Sequence, residues 1–241
     1  MNTQPIYAAI LAGGNGTRMG NIEKPKQFLE IGHKPILIHT IEKFLLQNEI
    51  ERIMVLTPKA WLQHSKDIIR KYIGETERII VIEGGSSRHE TIMNAIRYIE
   101  EYLVLNEETI LVTHDAVRPF VSSRIITENI KMVQEHVVCD TVVPAVDTMV
   151  QSLDGKVIYR IPNRAELYNG QTPQTFRAKR LKEINASLSE EEKKTLTDAC
   201  KIFSMKGESV YMVQGDVCNI KITYPNDLRV AESLFGGSEE C

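Results

Sequence analysis

Four glycines fall within eight positions in Gly13-Gly14-Asn15-Gly16-Thr17-Arg18-Met19-Gly20, directly after the apolar run Tyr7–Leu11. Glycine lets a backbone approach a ligand closely and turn its N–H groups toward phosphate oxygens, so the loop reads as a phosphate cradle. It matches neither of the two common glycine motifs. A dinucleotide fingerprint counted from Gly14 needs glycine where Met19 stands, and GxxxxGK[ST] does not occur. Arg18 lies within the loop, and Lys26 follows it next to Pro25, which fixes the local backbone. Two cations converging on such a loop can neutralise a triphosphate and the extra charge of a transition state.

Asp115, in His114-Asp115-Ala116-Val117-Arg118-Pro119, follows the apolar stretch 109–113. A single carboxylate at a strand end, facing a phosphate loop, suits Mg²⁺, which takes few protein oxygens and the rest from phosphates and water. The bland alternatives are a helix N-cap or an ion pair with Arg118. His114 reads as structural, because zinc needs partners and His89-Glu90-Thr91-Ile92-Met93 lacks a second histidine. Gly84-Gly85-Ser86-Ser87-Arg88-His89-Glu90-Thr91 offers close-approach backbone and hydroxyls that could read a base edge, although it is also an ordinary loop composition. Arg164 and Lys221 are isolated cations that pattern alone does not single out. No nucleophile system is present: GxSxG is absent, no cysteine has a nearby base, and the six histidines are dispersed.

The elements that must hold these residues follow from periodicity. Tyr7–Leu11, Ile53–Thr57, Ile79–Ile82 and Thr109–Thr113 read as buried strands, and Asn219–Thr223 as a further strand. Ile36, Leu37, Thr40, Ile41, Phe44 and Leu45 recur at helical spacing behind Pro35; Ile92, Ile96, Ile99 and Leu103 do the same. Alternating units of this kind imply an α/β fold with a mainly parallel sheet covered on both faces. Ligands then bind beyond the carboxyl ends of the strands, which selects segments 13–20, 84–91 and 114–120. Beyond Asp140 the pattern loosens into Thr141–Val146, Val157–Ile161 and the turn-rich Asn169–Pro173, an expected excursion from the sheet. Helical patterning returns over 177–206 and again from Pro225 to Phe235. No linker or repeat interrupts the 241 residues, so a single domain over 1–241 is expected.

Composition narrows the function classes. With 29 Lys+Arg against 32 Asp+Glu, the net charge of −3 and the scattered basic residues give no footprint for nucleic acid. No apolar run is long enough for a membrane span, and MNTQP lacks a basic n-region. Cys139, Cys200, Cys218 and Cys241 form no CxxC pair, which fits a reducing, cytoplasmic setting. The residues alone therefore describe an α/β nucleotide- or phosphate-binding protein, Mg²⁺-dependent and without a covalent intermediate.

Taken in order, LAGGNGTRMG, PKQF, GGSSRHET, HDAVRP, QTPQTF, LTDAC and NIKIT resemble the cytidylyltransferases of the isoprenoid-synthesis and ribitol-phosphate type, over about Tyr7 to Ala231. Within that family, Leu11-Ala12-Gly13-Gly14, Pro35-Ile36-Leu37-Ile38-His39-Thr40, Tyr168-Asn169-Gly170-Gln171-Thr172-Pro173 and Leu196-Thr197-Asp198-Ala199-Cys200-Lys201 look more like the ribitol-5-phosphate enzymes of teichoic-acid synthesis. The methylerythritol-phosphate enzymes typically carry Ala-Ala-Gly in the first loop and Thr-Asp-Glu-Ala in the last motif. The resemblance implies a Rossmann-like nucleotide-diphospho-sugar transferase fold with a projecting β-arm at roughly 141–173, which packs into a homodimer. It implies CTP as substrate and Mg²⁺ held by Asp115, with Arg18 and Lys26 stabilising the transition state. Leu11, Ala12, Gly13, Gly14, Gly16, Gly85, Arg88, Thr91, Asp115, Ala116 and Arg118 fall on its CTP-binding segments. Arg164 and Lys221 match residues that position the acceptor phosphate, with Arg164, on the arm, able to act within its own chain or across the dimer. Thr148, Thr172 and Thr197 align with acceptor-side motifs. A ribulose-5-phosphate reductase is the implied supplier of acceptor. The competing classes are the methylerythritol-phosphate enzyme, a non-catalytic CTP-binding module, and a nicotinamide oxidoreductase, which Met19 already disfavours.

Overall fold

A computed structural model of the chain describes residues 4–14, 24–194 and 198–236. Its strands are β1 (Ile6–Leu11), β2 (Glu30–Ile31), β3 (Lys34–Pro35), β4 (Arg52–Thr57), β5 (Ile79–Glu83), β6 (Ile110–Asp115), β7 (Val138–Pro144), β8 (Tyr168–Arg177) and β9 (Tyr211–Gln214). The helices are α1 (Ile36–Leu45), α2 (Leu62–Tyr72), α3 (Arg88–Tyr102), α4 (Ser123–Glu135), α5 (Ala178–Ala186), α6 (Glu190–Lys194), α7 (Ala199–Met205) and α8 (Pro225–Gly236). Seven strands form one sheet in the order β5-β4-β1-β6-β8-β7-β9, and β2 and β3 form a small hairpin. Strands β5, β4, β1 and β6 are parallel, while β8 runs antiparallel to both β6 and β7. The fold is thus mixed α/β with a mostly parallel central sheet.

The uninterrupted apolar sequence of β1 follows from burial on both faces. Ile6, Ala8 and Ile10 pack with Ile53 and Val55 under α1 and α4, through Leu37, Ile41, Ile125 and Ile130. Tyr7 and Ala9 face the other way with Met54 and Leu56, under Ile92, Ile96 and Ile99 of α3 and Leu181 and Phe203 of α5 and α7. After β1 the chain adds β4 and β5 on one side, then returns to place β6 on the other, so β1 and β6 flank a topological switch point. Their register sets Leu11 beside Asp115, and Leu11 beside Leu56 on β4. The carboxyl ends of the three strands therefore open at one level.

Several expectations are corrected. The turn-rich Asn169–Pro173 lies inside the ten-residue β8. Its polar side chains, Gln171, Thr172, Gln174 and Thr175, are buried and hydrogen-bonded, so a polar sequence that reads as loop is a core strand. Pro173 offers no N–H, and the β6 ladder stops at Gln174 while the β7 register shifts between Asp140 and Val142. Asn219–Thr223 is not a strand; a backbone bond from Ile222 N–H to Val117 O, at 3.0 Å, ties it down. The strand in this region is β9, at the sheet edge beside β7. The helical stretch 177–206 is divided among α5, α6 and α7. The excursion is shorter than 141–173, because β7 and β8 belong to the sheet and only 145–167 projects. Within it Val157–Ile161 forms no strand, only a bridge between Gln151 and Arg160.

Candidate active site

A cavity of about 260 Å³ opens at the switch point, lined by Leu11, Ala12, Gly13, Gly14, Lys26, Gln27, Gly85–Arg88, Thr91, Asp115–Val117 and Lys221. The chain is held where it leaves β1: Ala12 N–H donates to Leu56 O at 2.8 Å, and the buried Gln27 side chain donates to Ala12 O at 2.7 Å. Lys26 belongs to a short 3-10 turn behind Pro25, and its Cε comes within 3.7 Å of where a Cβ on Gly14 would stand.

The second wall is the start of α3. Ser87 caps the helix, its hydroxyl accepting from Glu90 N–H, while the Glu90 carboxylate accepts from Ser86 N–H and Oγ. Thr91 Oγ1 accepts from Gly85 N–H at 3.0 Å and donates to Ser87 O at 2.7 Å. A Cβ on Gly85 would come within 2.7 Å of the Glu90 backbone carbon, so only glycine permits this fold-back. The turn aims Arg88 across the cavity floor.

On that floor Asp115 is the one carboxylate lining the cavity among the described residues, its side chain 8 % exposed. Oδ1 accepts from Arg88 Nη1, and Oδ2 pairs with Lys221 Nζ at 2.9 Å and Arg118 Nε at 3.5 Å. Burial alone would raise the Asp115 pKa, but Arg88, Lys221 and Arg118 outweigh it and hold the carboxyl well below the usual carboxylate range. Lys26, Arg88 and Lys221 against Asp115 leave the described lining with two net positive charges, a field for a polyanion.

A hydrogen-bond chain behind Asp115 sets its orientation. Burial lowers His114 to about 4, so its imidazole is neutral at pH 7. Nε2 faces Arg118 O at 3.0 Å, and a carbonyl only accepts, so Nε2 carries the proton and Nδ1 is the acceptor. The Thr172 hydroxyl, 2.9 Å from Nδ1, then donates to it and accepts from Asp115 N–H at 3.2 Å. His114 is structural, as its sequence context suggested.

The structure thus brings Leu11, Ala12, Gly13, Gly14, Lys26, Gly85, Arg88, Thr91, Asp115, Ala116 and Lys221 to one cavity. Arg118 lies behind it, donating through Nη1 to Asn219 O at 2.8 Å. Thr172 is placed as a support of Asp115 rather than on the lining. Arg164 and Thr148 lie on the exposed excursion, where Arg164 Nη1 donates to Val146 O at 2.8 Å, and neither lines the cavity. Arg18, Gly16 and Thr197 lie outside the described residues. Ser86 and Ser87, noted only as hydroxyls of the 84–91 segment, also line the cavity; sequence reasoning did not single out Gln27, Val117 or Gln174. Gln27 stands in the quoted Pro-Lys-Gln-Phe motif, and its burial beside a polar loop was the missing signal.

Two places offer ligand atoms for a divalent cation. Asp115 presents hard oxygens on the cavity wall, and the Lys221 arm on Oδ2 is 43 % exposed, a contact that can exchange; it fits an ion that draws its other ligands from phosphates. Among the described residues, the one group of three acidic or soft donors is Asp140, Asp198 and Cys200, with ligand atoms within 4.8 Å of one another. It fits poorly: burial raises the Cys200 thiol well above its ordinary value, and Asp198 Oδ1 already accepts from Cys200 N–H at 2.7 Å.

No helix among the described residues is long and apolar enough to cross a membrane. A family model described as IspD, 2-C-methyl-D-erythritol 4-phosphate cytidylyltransferase, matches residues 6–236. The chain is similar to the 4-diphosphocytidyl-2C-methyl-D-erythritol synthase of Anaerococcus prevotii, with 28 % identity over 97 % of this chain and 96 % of that one and a TM-score of 0.79. It is similar also to the Francisella tularensis 2-C-methyl-D-erythritol 4-phosphate cytidylyltransferase, with 25 % identity over 95 % and 99 % and the same TM-score. The Thermus thermophilus cytidylyltransferase, 22 % identical over 95 % and 98 % at a TM-score of 0.72, bears on the fold alone. A match running through both the switch-point cavity and the strands that frame it leaves one assignment: the chain belongs to the IspD family of cytidylyltransferases and is a nucleotidyltransferase.

Proposed function

We propose that this enzyme transfers the cytidylyl group of CTP to the phosphate of an open-chain polyol phosphate, with ribitol 5-phosphate as acceptor. The observation that carries the reaction class is the cavity itself: Lys26, Arg88 and Lys221 line it together with Asp115, and the described lining holds no nucleophile–base pair. An acceptor phosphate oxygen attacks the α-phosphorus of CTP, the bond to the β-phosphate bridging oxygen breaks, and pyrophosphate leaves. A phosphate monoester, with a second pKa of about 6, is mostly dianionic at neutral pH, so the attack requires no general base. Lys26 and Arg18 hold the charge that develops on the triphosphate, and Lys221 holds the acceptor phosphate. Asp115 would hold Mg²⁺, which would supply further charge neutralisation for the triphosphate. Positioning and electrostatics then account for the catalysis.

The motif variants Leu-Ala-Gly-Gly and Leu-Thr-Asp-Ala-Cys-Lys support ribitol 5-phosphate. The second reading, 2-C-methyl-D-erythritol 4-phosphate, has the support of the family description and of the neighbours' names, which on the comparisons alone is the stronger. Pyrophosphate release with CTP and Mg²⁺, measured with each acceptor in parallel, separates them. A kcat/KM preference for ribitol 5-phosphate upholds the first reading, the reverse preference installs the second, and CTP binding without release under either acceptor refutes the transfer.

A homodimer belongs to the same proposal. Segment 145–167 exposes Val146, Val150, Leu153, Val157, Ile158 and Ile161 together, an apolar surface that a second copy would cover. Arg164 lies on that segment, so a dimer could bring it to the neighbouring cavity.

A further inference from the structure

Arg88 is held from two sides. Its Nη1 donates to Asp115 on the cavity floor, and its Nη2 points away from the cavity toward Gln174 Oε1, at 3.4 Å. Gln174 comes from the middle of β8 and is fully buried. Its Nε2 donates to Asp140 Oδ1 at 3.1 Å and to Asp198 Oδ2 at 2.5 Å. Donor and acceptor chemistry fixes the amide in this orientation: the carboxylates accept, the guanidinium only donates, and a flipped amide would set its oxygen against two acids and its NH₂ against a cation.

We infer that Gln174 is a positioning residue, a neutral spacer that keeps Arg88 turned to Asp115 and the cavity instead of to the Asp140–Asp198 pair behind it. The inference rests on the proposed function, since it assigns Arg88 to the nucleotide. Two acids stand on the far side of the spacer against one carboxylate on the near side. Asp198 already attracts Arg88 electrostatically, as does Asp140. A side chain without an amide at position 174 would leave Asp140 and Asp198 short of their shared donor, and Arg88 is the nearby group that can replace it. Arg88 would then leave the cavity wall, and with it the charge that meets the triphosphate.

The pair's charge depends on pH. Asp140 is raised to about 7 by burial and by the neighbouring Asp198, against the opposing pull of Gln174 and Arg88. The other groups facing it are Thr141 N–H from its own strand, Cys139 beside it, Cys200 of α7, and Arg118 behind Asp115. Asp140 gains its negative charge as pH rises through 7. The spacer hides that change from the cavity, and its loss would expose it.

The test is Gln174→Leu, read as KM for CTP and kcat from pyrophosphate release, and as CTP affinity by calorimetry, at pH 6 and pH 8. Expected is a KM for CTP raised about tenfold, the size of one lost charge-assisted hydrogen bond, with kcat within threefold. The defect should be larger at pH 8 than at pH 6. Gln174→Leu with Asp198→Asn, which keeps the α7 cap, removes one of the two competing acids and supplies an amide donor beside Asp140, and should return KM to within threefold of wild type. A merely structural role would not give this rescue. Gln174→Met, closer in length, is the variant to use if Leu does not fold. A folded Gln174 variant with wild-type KM and CTP affinity overturns the inference, as does a double variant no better than the single. A wild-type enzyme that binds CTP but releases no pyrophosphate refutes the proposed function instead, and calorimetry still reads the placement of Arg88.

Discussion

Asp115→Asn removes one charge and almost no volume from a carboxylate that Arg88, Arg118 and Lys221 all meet. The wild-type carboxylate, 8 % exposed, is met by Arg88, 24 % exposed, and by Arg118, 10 % exposed. Breaking a buried pair by neutralising one partner costs about 3–5 kcal/mol, because the remaining charge stays desolvated. Lys221 adds little to that cost, since its half-exposed ammonium turns to water. Arg88 keeps Gln174, and Arg118 keeps Asn219 O. The lower end, about 3 kcal/mol, is therefore expected, or roughly 6–12 °C in Tm for a chain of this size. The assay is urea denaturation of both proteins from pH 8 to pH 3. Asp115 has a folded pKa depressed below its unfolded value of about 3.9, so its stabilisation is complete above that value and is lost as pH falls toward the folded pKa. The gap between wild type and variant should be constant from about pH 8 to pH 5 and shrink only below about pH 4. A gap under about 1 kcal/mol at pH 7, or one that shrinks near neutrality, refutes the claim that Asp115 is the buried anion that three cations compensate.

Lys26→Ala should lower kcat by about 10²–10³ with a modest change in CTP affinity, by analogy with removing one donor to a developing anion; turnover within threefold of wild type would exclude the transition-state role. Gly85→Ala forces a Cβ against the Glu90 backbone, so it should cost about 1–3 kcal/mol in denaturation and raise KM for CTP by moving Arg88; unchanged stability and KM would show that the fold-back tolerates a side chain. If the proposed dimer forms, Leu153→Asp with Ile158→Asp should sediment as a monomer where the wild type sediments as a dimer, and a wild-type chain that sediments as a monomer at micromolar concentration contradicts the proposed dimer outright.

Much of the candidate site was legible because it sits where chain order and strand order coincide. The glycine loop, Gly85–Thr91 and Asp115 each follow a strong apolar run, and a parallel sheet sends every such segment to the same edge. Lys221 carries no such signal. It reaches Asp115 from a stretch that is not a strand, held through a backbone link to Val117, and only the resemblance to a family picked it out. Strand β8 was missed for the opposite reason. Apart from Pro173 and Phe176, its buried side chains are amides and hydroxyls, whose partners at Asn129, Asp140 and Asn219 come from distant segments, so no local pattern marks it as core.

The sequence by itself determined the α/β alternation, the strands whose ends meet, and the residue types that can hold phosphate, because hydrophobic period and glycine conformation are local properties. Tertiary structure decided which charges face one another. Arg88 is held between Asp115 and Gln174, His114 is neutral because it is buried, and Asp140 titrates near neutrality because it is buried with Asp198 beside it. Those states depend on distance and desolvation, and both arise only when segments far apart in the chain are packed together.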